Sequence, residues 1–316
     1  MSSPYVPLKT QLSVGVESTP GTGVSTTVGS RVKSVDLQAK ATHTPVEDLY
    51  GDGVAAVASD SILSQVDVSG NVRLNACYQG GMLGVLLYAV MGSVTDGGSG
   101  PASYTHTFTL SDPKALTVDV ERGNSAKDEV MQGCKPSKLV LSVQPGQVAE
   151  VSVDFIGMTA TARGANTPVA PAAPYYISHA NVGTLGFDSA TYVLASFTLN
   201  IDTKVVRLDQ LGSAYSDEPV RSGMTDVAID CEIVGRTNAL QVAALAGTQG
   251  NVTLTMTSGT RSLAITLHNA KVVTYSDPIT SLSPIRQRVT FRGHADGTNH
   301  GLAIVLTNSD ATYGAS

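Results

Sequence analysis

The chain has 316 residues, a formal net charge of −6 and 15% charged residues, fewer charges than the roughly 25% usual in globular domains. Its 38 valines and 33 threonines stand among 31 glycines and 14 prolines, and it has no tryptophan. This mixture favours an all-β protein of roughly two domains and excludes a helical bundle, a coiled coil or a collagen-like rod. The acidic balance argues against a DNA- or RNA-binding module, which normally carries a basic face.

The cysteines and the apolar stretches indicate where the protein is made. Cys77, Cys134 and Cys231 have no paired spacing, which predicts free, buried thiols in a reducing compartment. The N-terminal sequence lacks a basic region followed by an apolar one, so we expect no secretory signal. The most apolar run, Met82–Met91, is about half the length of a membrane span. These features predict a soluble protein made in a cytoplasm, with no membrane partner.

Taken in chain order, the first half alternates strands with loops and contains one helix. Residues 1–29 are rich in Ser, Thr, Gly and Pro and indicate an extended arm. Hydrophobic periodicity then predicts a strand at 30–41, a long loop at 42–62, a strand at 63–77, a buried helix at 79–91, a glycine-rich turn at 95–103, a hairpin of Tyr104–Leu110 with Lys114–Glu121, and a second hairpin of Leu139–Val143 with Val148–Phe155.

The second half repeats this order. After an Ala/Pro-rich stretch at 159–190, the strand Leu194–Ile201 takes the place of the strand from Val32, and a long loop at 202–220 takes the place of the loop at 42–62. Four further segments match in the same order: Val227–Cys231 with Val72–Cys77, Ala239–Ala246 with Leu83–Ala89, Leu263–Leu267 with Leu116–Val120, and Val289–Gly293 with Val153–Gly157. The offset between matched residues falls from 155 to 147 to 136, as insertions in the first copy would produce.

This repeat predicts the domain organisation. We expect an all-β fold with minor α content, in which two tandem β-sandwich or barrel domains, each with one short helix, derive from an internal duplication. A long loop at matching positions of both copies is typical of assembly contacts. The predicted boundaries are an N-terminal arm at 1–29, a first domain at 30–158, an Ala/Pro-rich linker at 159–190, a second domain at 191–296 and a C-terminal arm at 297–316.

No catalytic or metal-binding constellation emerges from the sequence. There is no nucleophile elbow, no phosphate-binding glycine loop and no dinucleotide fingerprint. The six histidines are scattered, and His294, Asp296 and His300 lie in a glycine-rich loop without the spacing of a metal site. We therefore expect no enzyme activity, no cofactor and no metal.

Several segments of the first half resemble the tail tube proteins of long, flexible-tailed bacteriophages. They are Val14–Thr22, Gly81–Gly92, Tyr104–Phe108, Gly133–Lys135 with Leu139–Val143, and Val151–Gly157. The resemblance implies a non-enzymatic virion protein, assembled in the bacterial cytoplasm, whose rings stack into a tube that conducts the genome. It implies that one sheet of each copy joins its neighbours into a continuous inner β-barrel. The implied partners are further copies of the chain, tape-measure, tail terminator and tail tip proteins, and passing DNA that is not bound specifically.

Two tube-like copies per chain predict the stoichiometry of the ring. Tubes of this family generally show sixfold geometry, so three chains would supply six copies. We therefore expect a trimeric ring with pseudo-sixfold symmetry. A true hexamer, with the second half of each chain as an outer decoration, stays open as the alternative.

Two sets of residues are expected to serve this architecture. Carboxylates at polar strand positions would line the lumen and repel the DNA backbone, although Lys40, Arg73, Lys204 and Arg288 dilute the pattern. This lumen set is Asp36, Asp67, Glu150, Asp154, Asp202, Asp226 and Asp230. The two long loops would contact adjacent rings, so that deleting either loop leaves rings or monomers that cannot form tubes. This stacking set is Val46, Glu47, Asp48, Leu49, Tyr50, Leu208, Leu211, Tyr215, Asp217 and Glu218.

Other interpretations stay open at this point. Another virion protein, such as a tail terminator or a minor tail protein, would share this composition, although the duplication favours a repeating subunit. A secreted β-sandwich binding module or adhesin would be expected to expose aromatic side chains for stacking on sugars, and the chain has no tryptophan and five phenylalanines. An enzyme ranks last, because no catalytic constellation supports it.

Overall fold

The computed structural model describes residues 10–46, 60–98, 103–122, 128–162, 169–173, 175–235, 238–277 and 286–313. These residues form mainly β-strands with two short α-helices, which confirms the predicted fold class. The first half contains β1 (Gln11–Val16), β2 (Val28–Arg31), β3 (Ser34–Val35), β4 (Gln38–Val46), β5 (Asp60–Asn75), α1 (Met82–Met91), β6 (Gly92–Gly97), β7 (Tyr104–Leu110), β8 (Leu116–Glu121), β9 (Glu129–Val143), β10 (Glu150–Gly157) and β11 (Thr159–Ala162). The second half contains β12 (Leu185–Phe187), β13 (Ala190–Asp202), β14 (Val205–Leu208), β15 (Asp217–Arg221), β16 (Asp226–Val234), α2 (Ala239–Ala246), β17 (Gln249–Ser258), β18 (Arg261–Ser276), β19 (Arg286–Arg292) and β20 (Leu302–Asn308).

One antiparallel sheet runs through both halves of the chain. Its eight positions are, in order, β3/β4, β5, β10, β9, β13, β16, β19 and β18. Side chains alternate along its strands, so apolar residues such as Val153, Leu199 and Ile229 are buried on one face. Polar residues alternate with them and occupy the opposite face. We call this element the eight-stranded sheet.

The long strands β9 and β18 also belong to two further strand groups. The group of the first half has the order β2, β1, β8, β9 and β11. The group of the second half has the order β12, β17, β18, β20, β7 and β6. Buried side chains from both groups, from the helices and from the eight-stranded sheet form one hydrophobic core. The hairpin β6–β7 ties the halves together, because it comes from the first half and extends the sheet of the second.

Eight elements of the first half recur in the same order in the second half. Their order and, for the strands, their pairings match β1 with β12, β4 with β13, β5 with β16, α1 with α2, β8 with β17, β9 with β18, β10 with β19 and β11 with β20. These pairings correct two of the predicted matches. The first correction is that β18 corresponds to β9 and not to β8. The second concerns Val72, which was matched with Val227. Val72 lies opposite Val153 and Cys231 lies opposite Val289, so Val72 corresponds to Cys231. The common order supports the predicted duplication, whereas the domain boundaries stay a prediction.

Three local predictions were wrong. The predicted loop at 202–220 contains β14 and most of β15, which pair with each other. Tyr104–Leu110 and Lys114–Glu121 do not form a hairpin, because β7 pairs with β6 and β20 while β8 pairs with β1 and β9. The predicted loop at 42–62 is strand at its described ends, where β4 and β5 pair as far as Val46↔Asp60. The helix α1 and the hairpin of β9 with β10 are confirmed.

The ranges predicted as arms and linker contain strands of the fold. β1 falls within 1–29 and pairs with β2 and β8, and β20 falls within 297–316 and pairs with β18 and β7. The range 159–190 contains β11, β12 and the fully buried Ile177. The sequence stretches with few apolar residues are therefore partly incorporated into the sheets.

Gly84 in α1 allows another segment to approach the helix closely. A Cβ atom at this position would lie 2.2 Å from the ring of Tyr313. We expect Gly84→Ala to destabilise the chain by about 1–3 kcal/mol, because overpacking a filled core forces its neighbours to move. Urea unfolding measures this loss. Gln241→Ala, at the matching exposed position of α2, should change stability by less than about 0.5 kcal/mol, and equal effects of the two substitutions would contradict the assignment.

Candidate assembly surfaces

The polar face of the eight-stranded sheet carries all seven carboxylates of the lumen set. Each alternates along its strand with residues that point into the core. Asp36 lies between β3 and β4, Asp67 is on β5, Glu150 and Asp154 are on β10, Asp202 is on β13, and Asp226 and Asp230 are on β16. The structure thus brings these residues to one surface, which is concave around Asn71, Lys138 and Ser152.

Basic side chains neutralise part of the charge on this face. The ion pairs are Arg292–Asp226 (3.1 Å), Arg207–Asp67 (3.1 Å), Arg288–Glu232 (3.0 Å), Arg286–Glu232 (3.3 Å), Lys33–Glu150 and Lys204–Asp202. Sequence reasoning missed Glu232, Arg286 and Arg292, since the strand opposite each acid cannot be read from alternation alone. Exposed ion pairs contribute little to stability, but here they make the polar face mixed in charge and not uniformly acidic.

Asp36, Asp154 and Asp230 accept hydrogen bonds from neutral side chains, and for Asp154 and Asp230 the neutral partner stands directly opposite on the neighbouring strand. Asn71 Nδ2 donates to Asp154 at 2.6 Å, and Thr290 Oγ1 donates to Asp230 at 2.6 Å. Asn71 stands opposite Asp154 across β5 and β10, and Asp230 stands opposite Thr290 across β16 and β19. These two cross-strand pairs occupy matching positions in the two repeats. Each repeat therefore places one carboxylate with a neutral cross-strand hydrogen-bond partner at the same level of the sheet.

The two repeats meet inside the chain where β9 pairs with β13. The pairing runs from Phe197↔Val143 to Asp202↔Lys138. At the ends of the eight-stranded sheet the matching edges are open within the described residues: β18 pairs over 272–276 only with β19, and β3/β4 pair only with β5. An open strand edge is a template for pairing with another chain.

A sequence pattern marks these matching edges. Ser34-Val35-Asp36-Leu37-Gln38 corresponds to Ser196-Phe197-Thr198-Leu199-Asn200. Lys40 then corresponds to Asp202. On the other edge, Thr274 stands opposite Thr290 of β19, and Lys138 stands opposite Asp154 of β10. Because Thr290 and Asp154 occupy matching positions in the two repeats, Thr274 corresponds to Lys138. This repeated pattern is the signal that sequence reasoning had available for the edge residues and did not use.

The structure exposes part of the stacking set. Val46 ends β4, and residues 47–50 lie outside the described residues. In the second loop, the side chains of Leu208 and Leu211 are 44% and 104% exposed. The tip of this loop thus presents apolar side chains to solvent.

The rest of the second loop lies against the first repeat of the same chain. Ala214 O accepts a hydrogen bond from Val66 N at 2.7 Å. Tyr215 packs against the core, and Glu218 forms an ion pair with Lys135. Asp217 accepts from the backbone N–H of Glu218. The structure therefore gives Tyr215, Asp217 and Glu218 partners within the chain itself.

The thiols and the histidine loop show no sign of reactive chemistry. All three cysteines are free, as predicted. Burial raises the pKa of Cys77 to about 11 and that of Cys231 to about 12, and burial with the nearby Glu17 carboxylate raises the pKa of Cys134 further. These thiols are protonated at neutral pH and are poor nucleophiles. Among the described residues, no group of His, Cys, Asp and Glu is arranged to hold a metal ion.

The described residues thus form a β-rich fold whose eight-stranded sheet has a charged face and two open edges. The family model for phage tail tube proteins matches residues 7–293, so the chain is a member of the phage tail tube protein family. It is a structural component of the virion tail. No curated protein matches the chain. The described part of the chain has no helix of the length and apolarity needed to cross a membrane.

Proposed function

We propose that three copies of this chain form a ring, that rings stack into the tail tube, and that the tube conducts DNA during ejection. The observation that carries this proposal is the β9–β13 junction, which joins two repeats through positions that both ends of the eight-stranded sheet leave open. If β18 of one chain pairs with β3/β4 of the next in the same way, the sheet closes into a barrel without exposed edges. Three chains then supply six repeats.

The internal junction also specifies the register of the junction between chains. Asp202 stands opposite Lys138 within the chain, and their matching residues are Lys40 and Thr274. We therefore place Lys40 of one chain opposite Thr274 of its neighbour. The next pair along the strands joins Ala39 with Tyr275. A slip by one residue would turn the apolar side chains into the lumen, so burial of the opposite face holds this register.

The polar face of the eight-stranded sheet becomes the wall of the lumen in this arrangement, because the opposite face is the hydrophobic core. The seven acids of the lumen set would then face the passing DNA. Repulsion of phosphates by carboxylates, with most cations engaged in ion pairs, would keep the duplex from binding to the wall. DNA is thus a partner that passes without specific recognition.

The other contacts follow from the position of the ring in a tail. The two long loops, including Leu208 and Leu211, would reach the adjacent ring. The tube ends would meet the tape-measure, tail terminator and tail tip proteins, and assembly would take place in the bacterial cytoplasm. Two tube-like domains at 30–158 and 191–296, with the linker and the arms, would supply the two repeats.

Electron microscopy of the purified full-length chain tests this proposal. We expect rings of three chains that look sixfold at low detail and are threefold once the repeats are distinguished, and we expect these rings to stack into tubes. Strictly sixfold rings of six chains would favour the hexameric alternative. A chain that stays monomeric at high concentration would contradict ring formation by this protein alone.

A further inference from the structure

The helix α2 lacks the cover that its counterpart α1 has. Its sequence ALQVAALA contains no charged residue, and a helix that is apolar nearly all round is normally buried. All ten residues of α1 are buried. In α2 only Leu240 and Ala243 are buried, whereas Val242 and Leu245 are 56% and 84% exposed. The chain thus carries a helix whose composition fits an interior and whose outer face is open.

The matching positions of α1 show what α2 lacks. Aligning Leu83 with Leu240 places Val85 at the position of Val242 and Tyr88 at the position of Leu245. Val85 and Tyr88 are only 5% and 9% exposed. The difference between the helices therefore lies in what covers them and not in the type of residue at the surface.

The cover of α1 includes a segment from the second repeat. After β20, the Asp310 carboxylate accepts hydrogen bonds from the backbone N–H groups of Gly80 and Gly81, each at 3.1 Å, at the start of α1. The ring of Tyr313 then lies against Gly84. The second repeat is also the one that pairs with the first through β9 and β13. Within the chain, the β9–β13 junction is thus accompanied by a segment of the second repeat that covers the helix of the first repeat.

We infer that the exposed face of α2, formed by Val242 and Leu245, docks against the first repeat of a second copy of this chain in the same ring. This inference rests on the proposed ring, since it repeats at the junction between chains what the β9–β13 junction shows within one. It is continuous with the proposed interface, because α2 packs against β18, and the open edge of that strand is the one that would pair with the neighbour.

Substitution of Leu245 tests the docking surface without disturbing the fold of the single chain. Because Leu245 is 84% exposed, Leu245→Asp should melt at the wild-type temperature as a monomer. We expect it to lower the population of rings at least about tenfold at equal concentration, since it buries an unpaired charge in an apolar contact. Met224→Asp, at a 92% exposed position outside α2 and outside the two stacking loops, is the matched control and should leave rings intact. Native mass spectrometry measures the ring population of each variant.

Thiol labelling separates this inference from the proposed ring itself. In a Leu245→Cys variant, we expect residue 245 to react with a maleimide at least about tenfold more slowly in assembled rings than in the dissociated chain, because a buried thiol reacts only when its cover opens. Rings that form normally while residue 245 labels at the rate of the free chain, or rings of Leu245→Asp at the wild-type yield, would overturn the docking surface and leave the ring standing. Absence of rings from the wild-type protein would overturn the ring proposal instead.

Discussion

A chain carrying both Lys40→Cys and Thr274→Cys is expected to form disulfide-linked trimers on mild oxidation. The proposed register places these residues directly opposite each other between neighbouring chains. Opposed residues of antiparallel strands have Cα atoms about 4.5–5.5 Å apart, within the ~4.4–6.8 Å range that disulfides need. Both side chains are exposed in the single chain, so the substitutions should leave its fold intact. Non-reducing gels should show a closed product with three times the chain mass of 32.6 kDa.

The internal junction supplies the matched control for this experiment. Asp202 and Lys138 are opposed within the chain, so Asp202→Cys with Lys138→Cys should link intramolecularly and give no covalent oligomer. The three native thiols should contribute little background, because burial raises their pKa values. A ladder that reaches six chains, or no linkage of residues 40 and 274 in rings that form normally, would contradict the trimeric junction.

Local sequence signals predicted individual elements well and their partners poorly. The apolar run at 79–91 contains α1, and the turn at 144–147 joins β9 to β10, because both depend on residues close in the sequence. The hairpin assigned to β7 and β8 was wrong because β7 pairs with β20, nearly 200 residues further along. Alternation identifies a strand but carries no information about the strand beside it.

The same distinction applies to the C-terminal range. Leu302, Ile304 and Leu306 alternate with less buried residues and are themselves fully buried. This pattern is sufficient to predict a strand at 302–308, and the interpretation of 297–316 as an arm passed over it. The position of that strand between β18 and β7 depends on tertiary packing and could not be predicted from local sequence.

The acidic residues of the candidate lumen face could be predicted from the sequence, but the balance of positive and negative charge on that face could not. Single acids between apolar strand residues must lie opposite the core, which placed Asp154 and Asp230 on one face. Whether a cation stands beside each acid depends on cross-strand register. Arg292 reaches Asp226 because β16 and β19 are neighbours. The sequence alone therefore overestimated the acidity of this surface and could not show that Asp154 and Asp230 have neutral cross-strand partners.

Tubes of the variant Asp154→Lys with Asp230→Lys are expected to retain duplex DNA, in contrast to wild-type tubes. Each repeat places one of these carboxylates at the same level of the sheet, so a pseudo-sixfold ring would exchange six negative charges for six positive ones. Lysine contacts to phosphate bind DNA without sequence preference. Co-sedimentation of short duplex DNA with assembled tubes should rise from background in about 50 mM salt. It should fall steeply towards 200 mM, since binding through about six to ten phosphate contacts weakens by roughly a thousandfold or more over that range.

Two further variants decide whether this effect comes from the lumen. Asp154→Asn with Asp230→Asn removes the charges while keeping side chains of similar shape, and should show little DNA retention. Thr255→Lys with Thr257→Lys adds two lysines at exposed positions of β17, away from the eight-stranded sheet. A bulky group attached to both ends of the duplex, the end-block, should keep the DNA from entering the tube. With this blocked DNA, only the β17 variant should still show binding. The variant Asp154→Lys with Asp230→Lys could instead retain end-blocked DNA, and more of it than the β17 variant. That result would contradict the assignment of these residues to the lumen wall. Retention that the end-block abolishes would place the introduced lysines in the channel, because DNA can reach the channel only through an open end.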